Sequence, residues 1–180
     1  MIKRTKPIAD ALTQARVVLG LCIALLGFWR GRQALPQVIL AVIISWATDL
    51  LDGPLARRDP ERVQTWIGEH DAEADLSTSV GLTFYLMTSR YLTAWVGIAT
   101  LLATLGLWFL HSHQLAWPFY AAPYAILTSV ALRTATILGW ALIVYVVGVL
   151  VLRWRRLKGE FVPEFFGAVK DVYALLSDRD

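Results

Sequence analysis

Asp49-Leu-Leu-Asp52-Gly53-Pro54-Leu55-Ala56-Arg57 is followed, after a short polar connection, by Asp71-Ala-Glu-Ala-Asp75. Four carboxylates thus stand at the facing ends of two apolar segments, 34–51 and 76–88. Ionised groups beside hydrocarbon are costly and usually mark a site. Four of them converging from two helices repel one another unless a cation sits between them. Residues three or four apart share a helix face, so Asp49 points with Asp52, and Asp71 with Asp75.

The flanking sequence sets the class. Of 180 residues, 57% are hydrophobic and 17% charged, with 8 Trp and a mean hydropathy of +0.54. Soluble domains carry about 45–50% apolar and about 25% charged residues. The apolar stretches are continuous, whereas the strands of a membrane barrel alternate polar and apolar residues. The expectation is therefore an all-α, polytopic membrane helix bundle with about six transmembrane helices, over 12–29, 34–56, 70–89, 91–110, 117–132 and 134–154. The fifth is short for a span of about 20 residues and runs into the sixth through Arg133 without a Gly or Pro turn.

Charge placement gives the orientation. Lys3, Arg4 and Lys6 precede the first span, Arg57, Arg58 and Arg62 lie between the second and third, and Arg153, Arg155, Arg156 and Lys158 follow the last. The opposite side has Arg30, Arg32, Arg90 and Arg133. The positive-inside rule then puts both termini and the Asp cluster in the cytoplasm. A membrane domain over 1–157 leaves a tail, 158–180, in which Phe161, Phe165, Val169, Val172 and Leu176 recur at helical spacing behind Pro163. That pattern suits a cytoplasmic amphipathic helix, lying on the membrane or packed on protein. No secretory cleavage site follows the first apolar stretch, and the single Cys22 forms no intrachain disulfide.

Carboxylate oxygens without His or Cys suit Mg²⁺ or Mn²⁺ better than zinc. Gly53 admits close approach of a ligand, and a guanidinium at Arg57 matches phosphate oxygens. Together these describe a phosphoryl-transfer site.

The same residues carry a resemblance. Asp49-x-x-Asp52-Gly53-x-x-Ala56-Arg57 with Asp71-x-x-x-Asp75 resembles the signature of the CDP-alcohol phosphotransferases (CDP-alcohol phosphatidyltransferases). Asp10-Ala-Leu-Thr13-Gln-Ala-Arg16 is a weaker match to the element that opens the first helix in that family, with Asp10 where Asn is usual. Two departures stand out: the connection from Arg57 to Asp71 is one position longer than the family pattern, and the motif glycine slips to Gly68. Pro54 is expected to end or kink the second helix.

The resemblance implies a homodimeric integral membrane enzyme of phospholipid biosynthesis, here in a bacterial inner (cytoplasmic) membrane. It implies transfer of a substituted phosphate, the phosphatidyl group, from a CDP-linked lipid donor such as CDP-diacylglycerol to a small acceptor alcohol, releasing CMP. Asp49, Asp52, Asp71 and Asp75 would hold the metal, Asp75 would also act as catalytic base, and Gly53, Ala56, Arg57 and Thr13 would contact the CDP. No nucleic-acid partner is implied, and the acceptor is left open.

Two other classes fit the composition: a non-catalytic CDP-lipid-binding relative, and a cation transporter using the intramembrane carboxylates. Against the transporter, the carboxylates cluster near one face and no acidic residue interrupts the later spans. Arg16 reads equally as a phosphate ligand facing the cavity and as a side chain snorkelling to the interface. Glu73, two positions from both Asp71 and Asp75, points away from them and reads as a solvated residue.

Overall fold

In an apolar surrounding a chain must satisfy its backbone polar groups internally, and this chain does so with helices throughout its described part. The computed structural model describes the backbone of residues 6–57, 71–109, 113–152 and 154, and the side chains among them except those of 6, 52–57, 71, 113–115 and 117. The helices are α1 (Lys6–Trp29), α2 (Leu35–Arg57), α3 (Asp71–Thr88), α4 (Ala94–Phe109), α5 (His113–Thr134) and α6 (Thr136–Leu152), and no strand occurs among the described residues. Among the described residues the chain is thus all-α with six helices, which meets the expected class and helix count and not the expectation that all six cross a membrane; the tail, 158–180, and the connection, 58–70, lie outside the described residues.

The boundaries have local causes. Pro7 suits the first turn of α1, whose helix starts earlier than hydropathy suggests. Gly31, at φ +54°, takes the left-handed conformation that a side chain disfavours. It thereby turns the chain through a 3-10 segment, Gly31–Ala34, into α2. Of the two outcomes expected at Pro54, ending the helix does not occur: α2 continues through it to Arg57. Proline there removes a single N–H from the ladder only one turn from the helix end, and the helical backbone persists. The α5–α6 turn uses neither Gly nor Pro at Ala135. Instead Gly139, one turn later, lets α6 fold back: a methyl group there would stand 2.6 Å from the Leu132 amide nitrogen.

α1 packs chiefly on α3 and then on α2; α5 packs on α4, α6 and α3. A buried cluster of Ile23, Val38, Val42, Leu82, Leu86 and Leu127 joins α1, α2, α3 and α5. The outer surface is strongly apolar: Trp95 is 84% exposed and Ile137 86%. Such a surface marks contact with lipid or a partner. Polar side chains on the helices turn inward on their own backbone. The hydroxyls of Thr100 and Thr134 donate to Val96 O and Val130 O, each at 2.8 Å, which satisfies them without water. Two stretches, Pro7–Trp29 and Gly31–Leu51, are long and apolar enough to cross a membrane, while Ala94–Phe109 and Thr136–Leu152 are apolar but shorter.

Where lipid is as apolar as leucine, close packing must hold helices together, and small residues permit it. Gly20 of α1 and Gly81 of α3 meet backbone to backbone. A methyl group on Gly20 would stand 2.6 Å from Ser77 O, and one on Gly81 would overlap Gly20 O. Gly81→Ala is expected to lower stability by about 1–3 kcal/mol through overpacking, measured by denaturant unfolding of the purified protein in detergent. Gly106→Ala, where the new methyl group meets open space, should not.

Candidate functional site

Arg16 lies on α1 one turn before Gly20, so the close α1–α3 crossing presses its side chain between the helices. Its side chain is fully buried. A guanidinium out of water needs charged partners, and two neighbouring helices supply them. Nη1 donates to Asp49 Oδ1 of α2 at 3.3 Å and to Asp75 Oδ1 of α3. Nη2 donates to Thr13 Oγ1 at 3.4 Å, one turn back on α1. Snorkelling is thereby overturned: the arginine faces inward, onto two of the four motif carboxylates.

A second layer lies beneath. Thr78 Oγ1 donates to the Arg16 carbonyl at 3.4 Å, which leaves its lone pair for the Ser45 hydroxyl at 3.0 Å. One buried threonine thus links α1, α2 and α3. One turn on from Asp75 along α3, Ser79 Oγ donates to Tyr120 O at 2.7 Å. Pro123 lacks the N–H that would bond the Phe119 carbonyl, so the α5 ladder is already interrupted beside this contact.

The expected site residues fall as follows. Asp49 sits near the end of α2 with its side chain 33% exposed, and Asp75 near the start of α3 with 49% exposed. The structure brings these two together on one cationic nitrogen. Asp52, Gly53, Ala56 and Arg57 occupy the last turns of α2, and Asp71 is the first residue of α3; their side chains lie outside the described residues. Thr13 is buried and spends its proton on Ala9 O at 3.3 Å, so it stands beside the carboxylate pair as an acceptor toward Arg16. Glu73 is exposed, as its spacing suggests. Among the described residues no three His, Cys, Asp or Glu side chains converge.

Two carboxylate oxygens from different helices already share one cationic centre, Arg16 Nη1. That donor set is hard, anionic and partly open to solvent, which is the ligand type that Mg²⁺ or Mn²⁺ takes, and in the structure its charge is met by Arg16.

An apolar groove of about 560 Å³ opens beside the pair, lined by Trp46 of α2, Tyr120 and Tyr124 of α5, and Ile143 and Val147 of α6. Trp46 precedes Asp49 by three residues and shares its face, and Tyr120 is tied to Ser79 one turn beyond Asp75. Trp46 also packs on Tyr124, with ring centroids 5.0 Å apart, and stacks on Tyr145 at 5.8 Å. The sequence reading missed this wall, because its residues come from three separate segments. Compared with protein-family models, curated proteins and solved structures, the chain matches none.

If Arg16 is the counter-charge of the pair, Arg16→Met should destabilise the protein by about 1.5–3 kcal/mol, the range for hydrogen bonds to charged groups. Adding Asp75→Asn should then cost much less than it does alone. A double-mutant cycle in detergent unfolding measures that coupling, and additive losses would remove Arg16 from this role.

Proposed function

We propose that the chain is a metal-dependent, membrane-embedded phosphotransferase that moves a substituted phosphate from a CDP-linked lipid to an alcohol and releases CMP. The observation that carries this reading is the convergence of Asp49 and Asp75, motif residues from different helices, on the single cationic nitrogen of Arg16. The signature needs such facing carboxylates. Further support comes from the groove beside them, whose apolar wall suits acyl chains, and from the exposed apolar helices, which suit a six-span bundle.

In this reading Asp49, Asp52, Asp71 and Asp75 hold the cation, which would offset charge developing on the diphosphate. Gly53, Ala56 and Arg57 bind the CDP portion, with Arg57 on its phosphate oxygens. Trp46 and Tyr124 help seat the lipid, which holds the phosphorus near the acceptor. The acceptor oxygen forms a bond to the phosphatidyl phosphorus, the bond to CMP oxygen breaks, and the leaving electron pair stays on CMP. Asp75 takes the acceptor proton. One of its oxygens is bonded to Arg16, and the side chain remains half exposed, so the carboxylate can meet an incoming hydroxyl. Arg16 and Thr13 orient it. A homodimer in a bacterial cytoplasmic membrane, with the carboxylates and both termini on the cytoplasmic side, completes the proposal.

The test is CMP release from CDP-diacylglycerol by purified protein across a panel of acceptor alcohols. Activity should vanish with chelator and return with Mg²⁺ or Mn²⁺; full turnover in excess EDTA removes the site assignment. Asp75→Asn should lower turnover at least about a hundredfold, the scale of general-base help, with donor binding less affected than in Asp49→Ala. Near-normal turnover in Asp75→Asn would refute the base role.

Orientation is tested separately. In a Cys22→Ala background, cysteines at Gln33 and Arg133 should react with an impermeant thiol reagent in intact cells, while one at Arg62 should not. Labelling of Arg62→Cys from outside would contradict the topology.

A further inference from the structure

At the end of the bundle away from the carboxylates, α1 passes into α2, α3 into α4, and α5 into α6. The basic residues there are Arg30, Arg32, Arg90 and Arg133, and the sequence holds no Asp or Glu from 76 to 159. The remaining acidic residues before position 76 are Asp10 and those from Asp49 to Asp75, at or toward the other end. This end of the bundle is therefore cationic with no carboxylate among its described residues to neutralise it.

Its arginines are arranged with some care. α3 closes with Tyr91 N–H bonded to Leu86 O at 2.9 Å and Arg90 N–H to Met87 O at 3.0 Å. That is the helix-ending motif in which the left-handed position usually falls to glycine. Here it is Arg90, at φ +56°, a conformation that disfavours a side chain. The strained turn holds an exposed guanidinium at the bundle end. Arg32 spends Nε on Ser89 O at 3.0 Å and Nη2 on Arg90 O at 3.1 Å, and its guanidinium lies 5.1 Å over the Tyr91 ring. It thus fixes the tyrosine and caps α3.

Tyr91, so fixed, forms one wall of a pocket of about 300 Å³, whose other lining residues come from α5: Ala125, Ile126, Ser129, Val130 and Arg133. The pocket is apolar at its floor and cationic at its rim. Ser129 Oγ has already given its proton to Ala125 O at 2.9 Å, so toward the pocket it can only accept. The donors available to a ligand are the Arg133 guanidinium and the Tyr91 hydroxyl.

We propose that this pocket binds the headgroup of an anionic membrane phospholipid bearing a free hydroxyl. The phosphate meets Arg133, with Arg90 adding charge at the rim, and the headgroup hydroxyl donates to Ser129. The acyl chains run along Ala125, Ile126 and Val130. Guanidinium matches phosphate oxygens in a fork, basic pockets between membrane helices take lipid headgroups, and the apolar floor argues for a lipid over a free anion. This site is separate from the carboxylates and does not depend on the reaction proposed for them.

Unfolding midpoints of the full chain in detergent decide it, measured with added phosphatidylglycerol, phosphatidylcholine or inorganic phosphate. Phosphatidylglycerol should raise the midpoint well above the effect of either other addition. In Arg133→Gln the concentration of phosphatidylglycerol giving half the increment should rise at least about tenfold, the factor for 1.4 kcal/mol. Arg90→Gly should raise the lipid-free midpoint, since glycine relieves the turn, and still weaken the lipid response. Retention of phosphatidylglycerol in native mass spectra should fall in Arg133→Gln, and this second measurement stands if unfolding proves irreversible. An equal response to phosphatidylcholine, an equal response to inorganic phosphate, or an unchanged response in Arg133→Gln overturns the proposal.

Discussion

A guanidinium buried from water commits everything around it. The penalty for desolvating a charge is several kcal/mol even after relaxation, so Arg16 is tolerable in this position only if anionic oxygens reach it. α2 must then present Asp49 and α3 must present Asp75 at the same height as α1. That requirement sets the relative register of three helices. The Thr78 hydroxyl, bonded to the Arg16 carbonyl and to Ser45, holds that register one layer further in. The Gly20–Gly81 approach brings α1 and α3 close enough for all of these bonds to form. The same interaction draws toward one point two carboxylates that would otherwise repel.

Polarity is graded along the bundle. The carboxylates and their arginine occupy one end, a layer of Ser and Thr hydroxyls comes next, and Leu82, Tyr85 and Leu86 follow in the buried core. Among the described residues the other end carries only positive charge. Between the ends runs the groove beside Trp46, lined by Tyr120 and Tyr124 of α5 and by Ile143 and Val147 of α6.

Much of this was legible in the sequence because its signals are local. Continuous apolar runs mark six helices, and the spacing of Asp49, Asp52, Asp71 and Asp75 marks where two of them meet. The errors also have local explanations. Hydropathy missed the first turn of α5 because that turn opens on the polar His113 and Gln114, and a rule that lets proline end a helix did not foresee α2 running past Pro54 to Arg57. The role of Arg16 was ambiguous for a different reason: burial depends on a crossing with a segment 60 residues away, which no periodicity reports. One signal for that crossing was present. Ser77-Thr-Ser-Val-Gly81 places two small residues one turn apart, the pattern that lets helix backbones touch. The aromatic wall had no comparable signal, since Trp46, Tyr124 and Tyr145 are far apart in the chain.

α4 has 16 residues, which at about 1.5 Å of rise per residue makes a rod of about 24 Å. A bilayer's hydrocarbon layer is about 30 Å thick. Among the described residues, a bundle seated in such a layer would have α4 as a flank shorter than it, with Trp95 exposed at one tip of that flank. Lipids beside it must compress or tilt to keep their tails covered, at a fraction of a kcal/mol for each ångström of misfit. For a bundle that spans a bilayer, as proposed, membrane thickness would act as a sorting variable: thin bilayers would accommodate it with less deformation, and thick ones would favour covering the α4 flank with another protein surface.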